Sequence, residues 1–323
     1  MKYSPLGTSG MDVSRVGFGT WAMSGPNSPS YWGPQDDEQS IATIRHGVER
    51  GVGWIDTAAI YGMGHAESVV GAAIKGFSDA DRPLVFTKGG MRWDRIAPDA
   101  TISRRGTRES VLEEVDASLA RLGVEQIDLY QMHWPADDAE VEEYWAAFSE
   151  ILSSGRARAI GLSNHSLEQL ERAASIGPVH AVQAPLNLLR QDALLDIIPW
   201  ARRNGAGVLA YSPMASGLLT GKYTGKDMVE LDPADWRRKN PLFGADNRAR
   251  VDAAVGVLRE LAETHDVSMG SVAIAWTLAQ QGVSAAIVGA RSPEQVDDWL
   301  SAGDLELTTD EVTRLDAAAS VGT

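Results

Sequence analysis

The sequence predicts an α/β fold, a (β/α)8 TIM barrel that occupies residues 1–323 as one domain behind an N-terminal β-hairpin. Three observations predict it. Eight short runs are apolar throughout rather than alternating, as parallel strands covered on both faces require. Segments of helical period separate them, with no break in composition to mark a second unit. The three longest connections each follow the carboxyl end of a predicted strand, the face where such barrels place their sites.

The hairpin comes first, from Lys2–Leu6 and Asp12–Ser14 around a turn bounded by Gly7 and Gly10. Strand cores then fall at Val16–Gly19, Trp54–Asp56, Leu84–Thr87, Ile127–Met132, Ala159–Ser163, Ala181–Ala184, Gly207–Tyr211 and Ala285–Val288. Between the first two, Ile41, Ile44 and Val48 line one helix face and Gly51 ends it. Val111, Val115, Leu119 and Leu122 repeat the pattern ahead of Gly123. Ser166 with Gln169, Ser292 with Gln295 and Thr308 with Glu311 read as capping boxes, and Pro293 stands at a first helical position. The long connections Ala22–Asp37, Gly89–Arg108 and Lys222–Arg248 are expected as loops walling a pocket at the C-terminal mouth.

Bulk properties narrow the function. The 323 residues carry 29 Lys and Arg against 44 Asp and Glu, a formal charge of −15. That field repels phosphate backbones and anionic lipid, so neither nucleic acid nor a membrane is an expected partner. No apolar run approaches the ~20 residues of a spanning helix, and Met1 to Pro5 carry no apolar leader. Without cysteine there is no thiolate nucleophile, disulfide or zinc–thiolate centre. The histidines are scattered, with no His-x-His pair at a strand end, so a metal-dependent barrel hydrolase is disfavoured and no metal is expected. A cytoplasmic enzyme acting on a small molecule fits these bounds.

Four polar residues stand at or just beyond strand ends: Asp56, Tyr61, Lys88 and His133. Singly, each has a structural explanation: a turn cap, a packed aromatic, a surface charge and a satisfied core histidine. Together they converge on one mouth, and one chemistry uses all four. Hydride delivery to an aldehyde or ketone leaves an alkoxide that must be protonated. A phenol, ordinarily titrating at ~10, needs an ammonium beside it to act at neutral pH, and a carboxylate keeps that ammonium charged. An imidazole holds the carbonyl oxygen near the phenol.

These residues carry a resemblance. Asp56-Thr57-Ala58-Ala59-Ile60-Tyr61-Gly62, followed by Glu67 and Val70-Gly71, resembles the signature around the catalytic tyrosine of the aldo-keto reductases. Lys88 follows Val85-Phe86-Thr87 as the family lysine does, and Asp128-Leu129-Tyr130-Gln131-Met132-His133 is similar to the family's histidine strand. The resemblance runs from the hairpin to about Leu315. It implies that Tyr61 is the general acid, Lys88 tunes it, Asp56 pairs with Lys88 and His133 orients the carbonyl.

The same resemblance implies a cofactor, NADP(H) ahead of NAD(H). Ser163, Asn164 and Gln183 match the residues holding the nicotinamide carboxamide, and Tyr211 matches the aromatic stacked on the nicotinamide ring. Ser212, Pro213, Gly217, Leu218 and Gly221 resemble the pyrophosphate loop. Gly289, Arg291, Ser292 and Gln295 open a helix where the family seats the 2′-phosphate of the adenosine. The chain departs from the family at Trp299, where asparagine is common near the adenine; Gln295, Asp298 or the indole itself are the candidates to replace it. No Gly-x-Gly-x-x-Gly follows the first strand, as expected when the cofactor lies across a barrel mouth. Trp21, Trp32, Trp93 and Trp134 fall near that mouth and are candidate pocket walls. The expected activity is interconversion of aldehydes or ketones, sugars included, with alcohols. Two other readings stand beside it: a sugar dehydrogenase working oxidatively, and an NADPH-binding sensor resembling channel-associated β subunits.

Overall fold

The computed structural model describes residues 1–26, 28, 32–78, 81–223 and 235–320. Strands β1 (Tyr3–Pro5) and β2 (Asp12–Ser14) pair antiparallel, the hairpin expected at the start of the chain. Among the described residues, eight parallel strands then close a barrel. They are β3 (Val16–Gly19), β4 (Trp54–Asp56), β5 (Leu84–Gly89), β8 (Ile127–Met132), β9 (Ala157–Ser163), β10 (Ala181–Pro185), β11 (Gly207–Tyr211) and β12 (Ala285–Gly289). Closure sets β12 beside β3, with Val288 opposite Phe18 and Gly289 opposite Gly19. All eight predicted strand cores are present.

Helices α1 (Asp37–Glu49), α2 (His65–Ile74), α3 (Arg108–Leu122), α4 (Val141–Ser153) and α5 (Leu167–Ile176) ring the first part of the barrel. Helices α6 (Ile197–Asn204), α7 (Arg248–His265), α8 (Met269–Ala279), α9 (Pro293–Leu300) and α10 (Thr309–Ala319) complete the ring. Ser166 and Thr308 form the expected capping boxes with Gln169 and Glu311. The third box does not form. Ser292 hydrogen-bonds Glu294 instead, and the Gln295 side chain reaches one residue further back to accept from the Arg291 N–H at 2.8 Å. The fully buried residues of α1 are Ser40, Thr43, Ile44 and Gly47, with Ile41 partly buried against the same core and Val48 at its margin. Gly47 brings the helix against the Phe18 ring, which a Cβ there would crowd at 3.2 Å.

Two hydrophobic layers hold the barrel. The larger lies between strands and helices. The smaller fills the barrel interior with Trp54, Phe86, Leu129 and Leu209, and the hairpin's Leu6, Met11 and Val13 plug its lower end. Burying one such side chain stabilises by about 1.5–3 kcal/mol. The Trp54 indole spans the floor, donates to the Ser14 carbonyl at 2.8 Å, and lies where any Cβ on Gly17 would sit, 2.0 Å away.

The connection Gly89–Arg108, expected as a loop, contains an antiparallel hairpin: β6 (Met91–Trp93) pairs β7 (Ile102–Arg104). Its strands are too short and too polar to carry a strand pattern in sequence. Positions 27, 29–31 and 224–234 of the other two predicted connections lie outside the described residues.

Candidate active site

The barrel's upper rim brings the four predicted polar residues together. Asp56 ends β4, Lys88 lies in β5, and His133 follows β8. The Lys88 ammonium donates to Asp56 Oδ2 at 2.6 Å and to the Thr57 carbonyl at 2.9 Å. Tyr61 reaches the same place from a turn after β4, with Lys88 Nζ 5.2 Å from its ring centroid. Gly62 permits that turn: its φ is +64°, and a Cβ would strike the Ser24 carbonyl at 1.9 Å. The His133 ring meets the Tyr61 ring edge-on, centroids 5.7 Å apart.

Burial sets the electrostatics. It pushes the Asp56 carboxyl up and the Lys88 ammonium down, while their mutual attraction opposes both shifts. The Tyr61 phenol is raised well above its ordinary value, by burial first and the Asp56 charge second. It therefore stays protonated at neutral pH. Burial, then the Lys88 and Arg104 charges, hold His133 well below the usual imidazole range, so the ring is neutral. Among the described residues its Nδ1 has no partner.

A second ring of side chains braces this group. Gln183 donates to Asp56 Oδ1 at 2.8 Å and to Gln131 Oε1 at 3.3 Å. Asn164 donates to the His133 carbonyl and to Ser163 Oγ, both at 3.0 Å, and accepts the Tyr211 hydroxyl at 2.8 Å. Beneath Lys88, buried Glu67 accepts from Thr87 Oγ1 and from Arg121 Nε, each at 2.6 Å.

The chain after β11 is conformationally unusual. Ser212, Ala215, Ser216, Gly217 and Gly221 all have positive φ. Non-glycine residues held there cost on the order of 1–3 kcal/mol each and cluster at ligand clamps. Three N–H groups of this segment close tight turns inside it: Ala215 donates to the Ser212 carbonyl at 2.9 Å, and Gly217 and Leu219 to the Met214 carbonyl at 3.0 and 3.2 Å. Leu218 is buried and Pro213 lacks an N–H, so neither presents a polar side chain. At the far end, the Arg291 guanidinium donates to Gln35 Oε1 at 2.8 Å, to the Trp32 carbonyl at 3.1 Å and to the Pro34 carbonyl. Gly289 is exposed at the end of β12. Trp299 is buried edge-on against Phe18, so its indole belongs to the core and offers no face to an adenine.

Of the candidate walls, Trp21 and Trp32 gather at Tyr61. Trp21 stacks 6.4 Å from the Tyr61 ring and meets Trp32 at 5.2 Å. Trp93 lies on β6, and Trp134 lies under the Arg104 guanidinium at 4.7 Å, apart from that cluster. Trp236 joins it, 5.0 Å from Trp21 and 5.4 Å from Trp32, and was not anticipated. Arg237 and Asp235 behind it were also missed. Their signal was the Asp-Trp-Arg order in a long connection.

The family's sequence profile, the aldo/keto reductase family, matches residues 15–320. The chain belongs to the aldo/keto reductases. It is 37% identical over 298 residues to the aldo-keto reductase YhdN of Bacillus subtilis, covering 92% of this chain and 87% of that one. It is 33% identical over 322 residues to the NADH-specific methylglyoxal reductase of Escherichia coli, covering 97% of each. Its fold superposes on a glycerol dehydrogenase of Gluconobacter oxydans with a TM-score of 0.91 at 34% identity, covering 99% and 96% of the two chains. As an oxidoreductase family these proteins act with nicotinamide cofactors on small carbonyl or alcohol substrates. No described helix is long and apolar enough to cross a membrane.

Proposed function

We propose that this chain interconverts aldehydes or ketones with alcohols, sugar carbonyls included, using NADP(H), with Tyr61 as the general acid. The carrying observation is the buried Lys88–Asp56 ion pair set against the Tyr61 ring, with His133 edge-on across it. The cofactor would supply the hydride, held by Ser163, Asn164, Tyr211 and the left-handed run from Ser212 to Gly221. The protein's own part is then proton delivery and charge placement. Tyr61 is protonated at neutral pH and gives its proton to the far more basic oxygen of the reduced carbonyl. The phenolate left behind is stabilised by the Lys88 ammonium, which Asp56 and the Thr57 carbonyl keep charged and oriented. Neutral His133 holds the carbonyl oxygen against Tyr61.

Turnover of Tyr61→Phe is expected to fall by about 10²–10⁴-fold, the usual worth of a positioned acid. Cofactor binding, followed by fluorescence titration, should stay near wild type. Full activity in that variant removes Tyr61 from the mechanism.

A second reading, preference for NAD(H), is favoured by two observations. The Arg291 guanidinium already serves the carbonyls of the Trp32–Gln35 segment, and the E. coli relative is named NADH-specific. Steady-state kinetics with both cofactors decides between them.

A further inference from the structure

Between β9 and α5 the chain has only Asn164, His165 and the cap residue Ser166. Asn164 stands in the left-handed region, with φ at +62°. Its amide joins two parts of the barrel mouth. Nδ2 donates to the His133 carbonyl at 3.0 Å, and Oδ1 accepts the Tyr211 hydroxyl at 2.8 Å. A residue with a side chain keeps such a backbone conformation where its surroundings fix it.

The fixing comes from a buried titratable pair that the proposed chemistry does not use. The His165 ring is buried, and its Nδ1 lies 2.7 Å from the Ser163 carbonyl. A carbonyl oxygen only accepts, so Nδ1 carries the proton. Burial holds the imidazole down at a pKa of about 4, so at neutral pH the ring is uncharged and Nε2 is an acceptor. The Tyr144 hydroxyl reaches in from α4 and donates to Nε2 at 3.0 Å, with the two rings edge-on. Tyr144 is buried as well, so this chain of donors runs from the helix layer to the backbone immediately before Asn164.

We propose that His165 and Tyr144 are positioning residues that hold Asn164 left-handed and, through its amide, set Tyr211 relative to His133 for the nicotinamide half of the cofactor. The inference rests on the dinucleotide chemistry proposed above and deepens it. Without the imidazole, the Ser163 carbonyl loses its donor and Asn164 is free to relax to an ordinary φ. The amide then no longer spans the His133 carbonyl and the Tyr211 hydroxyl. Tyr211 keeps its place at the end of β11, but its ring loses the tether at the hydroxyl end. The segment from Gly289 to Gln295 makes none of these contacts, so the adenosine half is unaffected. The signature is therefore selective for one end of the ligand.

The test measures, by titration calorimetry, binding of NADPH and of 2′-phospho-ADP-ribose, which lacks only the nicotinamide; NADH and ADP-ribose are compared in the same way. His165→Leu is expected to weaken the dinucleotide about tenfold, the order of one lost hydrogen bond, and to leave the fragment within about twofold of wild type. His165→Asn, whose amide replaces the Nδ1–H at the Ser163 carbonyl, should recover most of the loss. A purely structural role lowers Tm in these variants without separating the two ligands. Equal weakening of dinucleotide and fragment, or a dinucleotide affinity unmoved in His165→Leu, overturns the proposal. Should His165→Leu fail to fold, Tyr144→Phe keeps the ring, deletes only the donor and carries the same comparison. A wild type that binds neither dinucleotide overturns the cofactor reading, and this inference with it.

Discussion

Lys88 Nζ lies 2.6 Å from Asp56 Oδ2 where the two side chains are 0% and 4% exposed, so the ion pair has almost no water to screen or replace it. Removing one partner strands the other charge. Asp56→Asn should lower stability by about 3–5 kcal/mol, and adding Lys88→Met should restore most of that while activity stays lost. Urea denaturation beside a turnover assay checks both arms; a double variant no more stable than the single one contradicts the pairing.

Glu114 gives a pH signature. Its carboxylate on α3 accepts the Gly90 N–H at 2.9 Å, two residues past Lys88, and burial raises its pKa to about 7. A folded value above the unfolded one means the native state holds this proton more tightly. The associated stability is complete below about pH 4.5 and is lost as pH rises through 7. Glu114→Gln should therefore match the wild type near pH 5 and exceed it near pH 8, measured as Tm in matched buffers. Identical pH profiles would sink the assignment.

The Tyr130 hydroxyl is buried without a partner among the described residues, while its ring stacks on Phe148 at 5.1 Å. Tyr130→Phe keeps the ring and deletes the unpaired group. It is expected to stabilise by about 1 kcal/mol, visible as a raised Tm. A clear loss of stability would reveal a partner for that hydroxyl.

Arg291→Ala removes the donors that hold the carbonyls of Trp32 and Pro34. Amide exchange in the Trp32–Gln35 segment should accelerate, and NADPH should be weakened more than NADH if the side chain also serves the 2′-phosphate. Equal loss for both cofactors favours the NAD(H) reading.

Strands and tetrad were legible because each leaves a local trace. Unbroken apolar runs such as Ile127–Met132 mark strands buried on both faces, and Asp56, Tyr61 and Lys88 stand at fixed offsets from them. What failed was set by contacts distant in sequence. Ser292 has the spacing of a capping box, but Glu294 and Arg291 claim its participants. Trp299 has the position of an adenine contact, but Phe18 across the barrel seam buries it. Glu114 was detectable in principle. It falls between Val111 and Val115 on the inner face of α3, where an acidic residue is out of place unless something accepts its charge.

The seam between β3 and β12 also dictates when the mouth can exist during folding. Arg291 and Trp32 are neighbours only because the first and last barrel strands meet, across a separation of 259 positions. Contacts of that separation raise the contact order of the fold, which slows folding. A nascent chain that has made β3 through β11 has Asp56, Lys88 and the strand before His133, with Trp21 able to stack on Tyr61, yet lacks the Arg291 anchor on the Trp32 carbonyl. The Trp32–Gln35 segment is thus tied down by Arg291 only once β12 stands beside β3.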